Sequence, residues 1–410
     1  MDDSRLRPST EKPMMNGHDG GSVHFRLSDY DISEKTGFVP EVPPISRLDG
    51  TIFSRWEELM DQLPALIKSG RLREQIDQLP EIEFTEKTLK TEQEWRRAYL
   101  VLTFLSQGYI WMEGEKGLVN KIPRKLAVPW CAVAERVTLQ PVITYACTVH
   151  CNYELIDPQG PVGGDNLRAI ATFTGTEDES WFYIAAIFVE TAAVPGLKAM
   201  ERICNAMAVD DHDSVAKDLK TIAECLYNMR VGLNRMYERC DPKVFYLGVR
   251  PFQAGSKGLE AFPDGIIYEG ADPPLRQYHG ASAAQNSAIH AYDIFLGAQH
   301  TGSDLEFLQT MRHYMPSKHR EFLEMLSQQP PVRDFAVCSS NRELIQSYNQ
   351  AVEAFGEFRG NHVVLVTRYI VMQKQHSVNA SLDDKGTGGT PFMTFLKQVR
   401  DDTIALRIET

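Results

Sequence analysis

No run of about eighteen apolar residues occurs in this chain of 410 residues, so no membrane span is expected. Its first stretch, MDDSRLRPSTEKPMMNGHDGGS, lacks the apolar segment of a secretion signal, and residues 1–25 read as a disordered, Gly-rich tail. Basic excess is missing as well. Lys and Arg number 43 against 55 Asp and Glu, a net charge of −12, which argues against a nucleic-acid or anionic-membrane face. The seven cysteines (131, 147, 151, 204, 225, 240, 338) are odd in number, scattered and without a CxxC pair. They fit the reduced thiols of a cytoplasmic protein and not a disulfide framework. Cys147, His150 and Cys151 lie close together, but no second ligand cluster at zinc spacing accompanies them. HEXXH is absent. So are the Walker lysine and dinucleotide fingerprint that would let GTGGT (386–390) hold a phosphate.

What the chain has in quantity is helical periodicity. Residues 53–69 carry Phe53, Trp56, Leu59, Met60 and Leu63 on one helical face, with Pro64 placed to kink or divide it. Residues 91–112, 214–239, 303–327 and 341–372 show the same spacing, and a final amphipathic helix begins near Pro391. Strand-like alternation is confined to 168–175 and 264–268. The fold class is therefore all-α. The polar, Gly/Pro-rich DPQGPVGGDN (157–166) suggests a boundary between a small helical domain, 26–165, and a large one, 166–410. Residues 373–390 form a long polar, Gly-containing loop of the kind that serves as a mobile lid.

One helical stripe is chemically unusual. Tyr348, Val352, Phe355, Arg359, His362, Val366 and Tyr369 are spaced 4, 3, 4, 3, 4, 3, which places Arg359 and His362 on the buried side. A buried guanidinium needs a carboxylate. Asp293, on a face with Ile289 and Leu296, is the candidate, and it could also steady the imidazole. A histidine on an apolar face is most often a core residue bonded to a carbonyl. The sharper alternative is a single axial ligand to haem iron, which needs one imidazole in an apolar pocket. A non-haem iron triad would need a second histidine and a carboxylate, which His290 and Asp293 (i, i+3) could supply, though the pattern is weak. WFYIAAIFVE (181–190) and VFYLGVRPF (244–252) read first as buried segments. Arg250, directly after the second run, suits either a carboxylate anchor or a salt bridge inside the fold.

Taken together, FTGTEDESWFY, FYLGVRPFQAG, MRHYMPSKHREFL, FRGNHVVLVTRYI and KGTGGTPFMTFLKQVRD resemble the indoleamine 2,3-dioxygenase family, most closely its fungal branch. The resemblance runs in order from about Tyr30 to Ala405. It implies a small helical domain capping a large one that holds haem b. It also implies dioxygenase chemistry in which L-tryptophan and O2 give N-formylkynurenine, in the kynurenine pathway towards NAD synthesis. His362 matches the proximal iron ligand, and Arg359 with Asp293 the ion pair beneath it. Tyr145, Thr148, Phe182, Ala186, Phe245 and Arg250 match the substrate pocket, where the arginine pairs with the substrate carboxylate. Gly280, Ala281, Ser282 and Ala283 match a small-residue turn beside the haem face, and Thr387 matches a lid threonine. No side chain is assigned as a catalytic acid or base; the haem iron carries the chemistry. The chain departs from mammalian members at Ala186, Thr148, Tyr246, Ala281 and Ser256, which stand for serine, cysteine, phenylalanine, glycine and tryptophan. Those changes keep open a relative that acts on another indole, or that senses haem or tryptophan with little turnover. The implied partners are tryptophan or a related indole, O2 and an electron donor for haem reduction. Nucleic acid and membrane are not expected, and the chain is read as a monomer.

Overall fold

The computed structural model describes residues 25–409, apart from 83, 86, 379–381 and 384. Most of the tail assigned to 1–25, and part of the 373–390 loop, lie outside the described residues. The fold is all-α, and its strands are two or three residues long. Lys121–Ile122 pairs parallel with Ile266–Tyr268, which pairs antiparallel with Leu275–Arg276. Glu154–Leu155 pairs antiparallel with Leu167–Arg168.

The helices follow the sequence periodicity, with breaks where local chemistry demands them. Residues 53–69 divide at Gln62 into Ser54–Asp61 and Leu63–Lys68, with Pro64 in the first turn of the second helix, where its missing N–H costs nothing. Thr91 opens Glu92–Trp111 with a capping box: its hydroxyl accepts from the Glu94 N–H, and the Glu94 carboxylate accepts from the Thr91 N–H. Beneath this helix the buried Glu57 receives Arg97 Nε at 3.1 Å and Nη2 at 2.5 Å. The 303–327 periodicity resolves into Gly302–Arg312 and Ser317–Ser327, split before Pro316. Asn341 caps the longest helix, Arg342–Tyr369, and Pro391 precedes Phe392–Ile404.

Two sequence expectations need correction. Ile266–Tyr268 falls within the expected strand 264–268, but 168–175 pairs only at its first residue. The N–H of Ala171 is satisfied by Asn152, and those of Phe173 and Thr174 by the Glu179 carboxylate. Side chains replace the neighbouring strand, so alternation misleads there. The expected absence of a span-length apolar run also fails: Glu177–Ala208 is long and apolar enough to cross a membrane by composition. It is two helices, Glu177–Ala192 and Val194–Ala208, and 67% of the apolar window is buried within the fold. Core packing accounts for its composition.

One buried cluster gathers the helices between 54 and 136 with Phe252, Phe262 and Tyr268. A second gathers Val194–Ala208, His212–Asn234, Ser287–Leu296 and Arg342–Tyr369. A third and smaller cluster includes Tyr145, Ile184, Phe188, Phe245, Leu365 and Tyr369, and the cavity described next opens beside it.

Candidate active site

A cavity of about 240 Å³ has almost wholly apolar walls. One wall is the Arg342–Tyr369 helix, which contributes His362, Leu365, Val366 and Tyr369. The stripe read from the sequence is the inward face: Tyr348, Val352 and Phe355 are fully buried, and His362 is half-buried. Burial, reinforced by Arg359, pushes the His362 imidazole down to about 4, so it is neutral at physiological pH.

Beneath it, Arg359 Nη2 lies 2.5 Å from both oxygens of Asp293, as the stripe predicted. Burial pushes the Asp293 carboxyl up, but Arg359 and His300 outweigh it and hold it at about 2. His300 extends the pair, with Nε2 3.5 Å from Asp293 and Nδ1 2.8 Å from Asp402 on the last helix. Sequence reasoning missed His300 and Asp402, which sit on elements far from the stripe and carry no local signature. His290 instead donates Nε2–H to the Ala284 carbonyl at 2.8 Å, and its Nδ1 accepts from Arg312 Nε at 3.4 Å, so both ring nitrogens are engaged within the protein. Among the described residues, no group of three or more His, Cys, Asp or Glu could hold a metal ion, so Cys147, His150 and Cys151 form no such site.

The opposite wall is assembled from separate pieces. Ala146–His150 and Phe245–Val249 are single π-helical turns, which widen the backbone locally and recur at functional sites. Tyr145 immediately precedes the first turn and Thr148 lies within it, Phe245 opens the second, and Arg250 follows directly. Phe182 and Ala186, one turn apart on Glu177–Ala192, complete this side, with Phe182 and Phe245 ring centroids 4.8 Å apart. Ala281, Ser282 and Ala283 close it below. Gln285 ties these parts together by accepting from the Tyr145 N–H at 2.8 Å and donating to the Gly280 carbonyl at 2.8 Å.

The 386–390 turn covers the cavity. Thr387 donates its hydroxyl to the Ala281 carbonyl at 2.5 Å, and its own carbonyl accepts from the Gly280 N–H. Gly389 has φ +79°, and a Cβ there would stand 2.1 Å from the Lys257 carbonyl, so this seam requires glycine. Arg250 is 2% exposed, and Nη2 donates to the carbonyls of Leu382 and Lys385 at 2.5 and 2.7 Å. Its Nε is buried without an acceptor, and burial lowers the guanidinium to about 10. Tyr246 holds the same segment by donating to Asp383 at 2.6 Å.

The residues expected at the site therefore line one cavity: Tyr145, Thr148, Phe182, Ala186, Phe245, Arg250, Ala281, Ser282, Ala283, Thr387 and His362. Phe307, Phe392 and Phe395, missed from the sequence, add the lid-side wall. The residues present also fit a haem. A neutral imidazole without a hydrogen-bond partner among the described residues faces apolar walls. Arg359, one helical turn from His362 and outside the cavity lining, keeps a buried Nε with no acceptor.

The indoleamine 2,3-dioxygenase family model matches residues 26–406. Human indoleamine 2,3-dioxygenase 2 is 35% identical over 393 residues, covering 93% of this chain and 96% of the relative. The indoleamine 2,3-dioxygenase acdA of Aspergillus candidus is 36% identical over 395 residues, covering 92% and 96%. The indoleamine 2,3-dioxygenase of Saccharomyces cerevisiae is 33% identical over 424 residues, covering 92% and 93%.

Proposed function

The chain belongs to the indoleamine 2,3-dioxygenase family of haem-dependent oxidoreductases, and we propose that its own substrate is L-tryptophan, cleaved to N-formylkynurenine. The observation that carries the proposal is the apolar cavity with, on one wall, a neutral imidazole that has no hydrogen-bond partner among the described residues and, on the other, Arg250 with its Nε buried and without an acceptor. In this reading His362 holds the iron, Arg359 and Asp293 brace the helix beneath it, and the remaining lining residues receive the amino acid. Haem, when bound, supplies the activation of O2. Both oxygen atoms enter the product at the indole C2 and C3 positions, the bond between those carbons breaks, and no proton is gained or lost overall.

The protein's part is orientation and exclusion of water. Arg250 anchors the substrate carboxylate, and its orphan Nε is a donor ready for that role. Phe182, Phe245 and Tyr145 enclose the indole, with Thr148 and Ala186 beside them. Among the described residues no carboxylate or amine lines the cavity, and with His362 holding the iron no other lining side chain is placed to act as a general base. The Thr387 turn closes the site over the substrate. We place this reaction in the cytoplasm, in a monomer supplied by an electron donor, at the entry to the kynurenine route towards NAD. The unpaired thiols agree with that compartment.

A second reading draws on Ala186 and Ala281, which replace a hydroxyl and a bare backbone on the substrate wall. There the same centre serves another indole, or reports haem or tryptophan with little turnover. The test is direct. The haem-supplemented protein should show a Soret band and, once reduced, release N-formylkynurenine from L-tryptophan in air. A Soret band without product at millimolar tryptophan would select the second reading, and no Soret band would remove both.

A further inference from the structure

Behind Tyr145 lies a buried polar network that the chemistry above leaves unused. Glu190 is fully buried on the helix carrying Phe182 and Ala186, at the next four-residue step on the same face. Among the described residues no lysine or arginine pairs with it; the nearest base is His150, whose Nε2 lies 3.4 Å from Glu190 Oε1. Asn286 donates its amide to Glu190 Oε1 at 3.0 Å and to the Tyr145 hydroxyl oxygen at 2.8 Å. The Asn286 carbonyl oxygen meanwhile caps Ser287–Leu296 by accepting from the Ile289 N–H. With its oxygen committed to the helix, the amide cannot flip, and its N–H pair points to Tyr145 and Glu190. The Tyr145 ring stands edge-on to His150, with centroids 5.5 Å apart at 90°.

A buried carboxylate is an expensive way to fill a core, since an apolar residue of similar size would pack without the desolvation cost. Glu190 Oε2 and His150 Nδ1 are moreover buried without a partner, so the network is incompletely satisfied as packing. Among the described residues its outlet to the cavity is Tyr145, which lines the wall beside Phe182. We propose that Glu190 is a positioning residue that sets substrate affinity: through Asn286 and His150 it fixes the ring and hydroxyl of Tyr145 against the bound indole.

This rests on the reading of Tyr145 as substrate wall, and the experiment separates the two. Glu190→Ala should raise KM for L-tryptophan about tenfold while kcat falls by no more than about threefold, the scale of one lost hydrogen bond to a charged group. Glu190→Gln, which keeps an acceptor for Asn286, should bring KM back to within about threefold of wild type. In a Tyr145→Phe background, Glu190→Ala should shift KM clearly less than it does alone, because the route through Asn286 to the hydroxyl is already removed and only the His150 contact with the ring remains. If Glu190→Ala does not fold, Asn286→Ser keeps the helix cap, removes the amide and should give the same KM shift. Full additivity with Tyr145→Phe, or an unmoved KM in both Glu190→Ala and Asn286→Ser, overturns the proposal. Should the wild type itself not turn over L-tryptophan, the substrate reading has failed, and hydrogen exchange of peptides spanning 144–151 decides instead. Faster exchange there in Glu190→Ala but not in Glu190→Gln supports positioning; unchanged exchange in both refutes it.

Discussion

The wall that carries His362 and the wall that carries Arg250 are built in opposite ways. The first is one face of a continuous 28-residue helix, braced from below by Asp293 on a second helix. The second joins two π-helical turns, one helix face, a small-residue turn and the 386–390 seam. A single helix sets the imidazole and guanidinium in register through its own backbone hydrogen bonds. The assembled wall has no such template, so each side chain depends on a bridge such as Gln285 or Asn286. The histidine wall is thus fixed by one element, and the arginine wall by contacts between several. Of the five departures that the family resemblance implies, three, at Ala186, Thr148 and Ala281, fall on the assembled wall, while Tyr246 and Ser256 lie outside the cavity lining.

Substitutions can break this contrast. The largest effect is expected for His362→Ala, which should abolish the Soret band of the haem-supplemented protein while circular dichroism stays helical; retention of a native band would move the ligand elsewhere. Next comes Asp293→Ala, which strands Arg359 and should cost about 3–5 kcal/mol in denaturant unfolding. Because Asp293 is held at about 2 against an ordinary 3.8, its contribution is complete above pH 3.8 and is lost as pH falls towards 2. The gap between wild type and Asp293→Ala should therefore close in acid, and a gap constant with pH would exclude the ion pair as its source. On the assembled wall, Arg250→Ala should raise KM for L-tryptophan about 10–100-fold, the scale of hydrogen bonds to a charged group. Its Soret band should stay close to wild type while the unfolding midpoint falls with the two lost lid hydrogen bonds, and loss of haem would instead make Arg250 part of the haem site. The smallest effect is expected for Ala186→Ser, a change in kcat/KM within about threefold. A larger gain would show that the missing hydroxyl, not the lid, limits this site.

Legibility in the sequence followed the same division. The His362 stripe and the Asp293 partner could be read because helical spacing alone decides which residues share a face. Phe182, Ala186 and Glu190 obey the same four-residue rule, yet Glu190 was passed over because its partners, His150 and Asn286, come from distant segments. The π-helical turns were invisible, since one extra residue per turn leaves no repeating pattern in five residues. Residues 168–175 misled for a related reason: their backbone is served by Asn152 and Glu179, which no periodicity encodes. Motif resemblance supplied the site residues that spacing could not join.

The seam over Arg250 also bears on how ligands for this protein would be found. Two lid carbonyls already occupy Nη2, the second nitrogen that a bidentate carboxylate would use beside the open Nε. Any amino acid that uses this nitrogen must first win the competition, so its measured affinity is its intrinsic affinity scaled by the fraction of molecules with the lid displaced. A neutral indole that stops short of Arg250 meets no such toll. Screens with uncharged fragments and screens with amino acids should therefore rank the same aromatic cores differently.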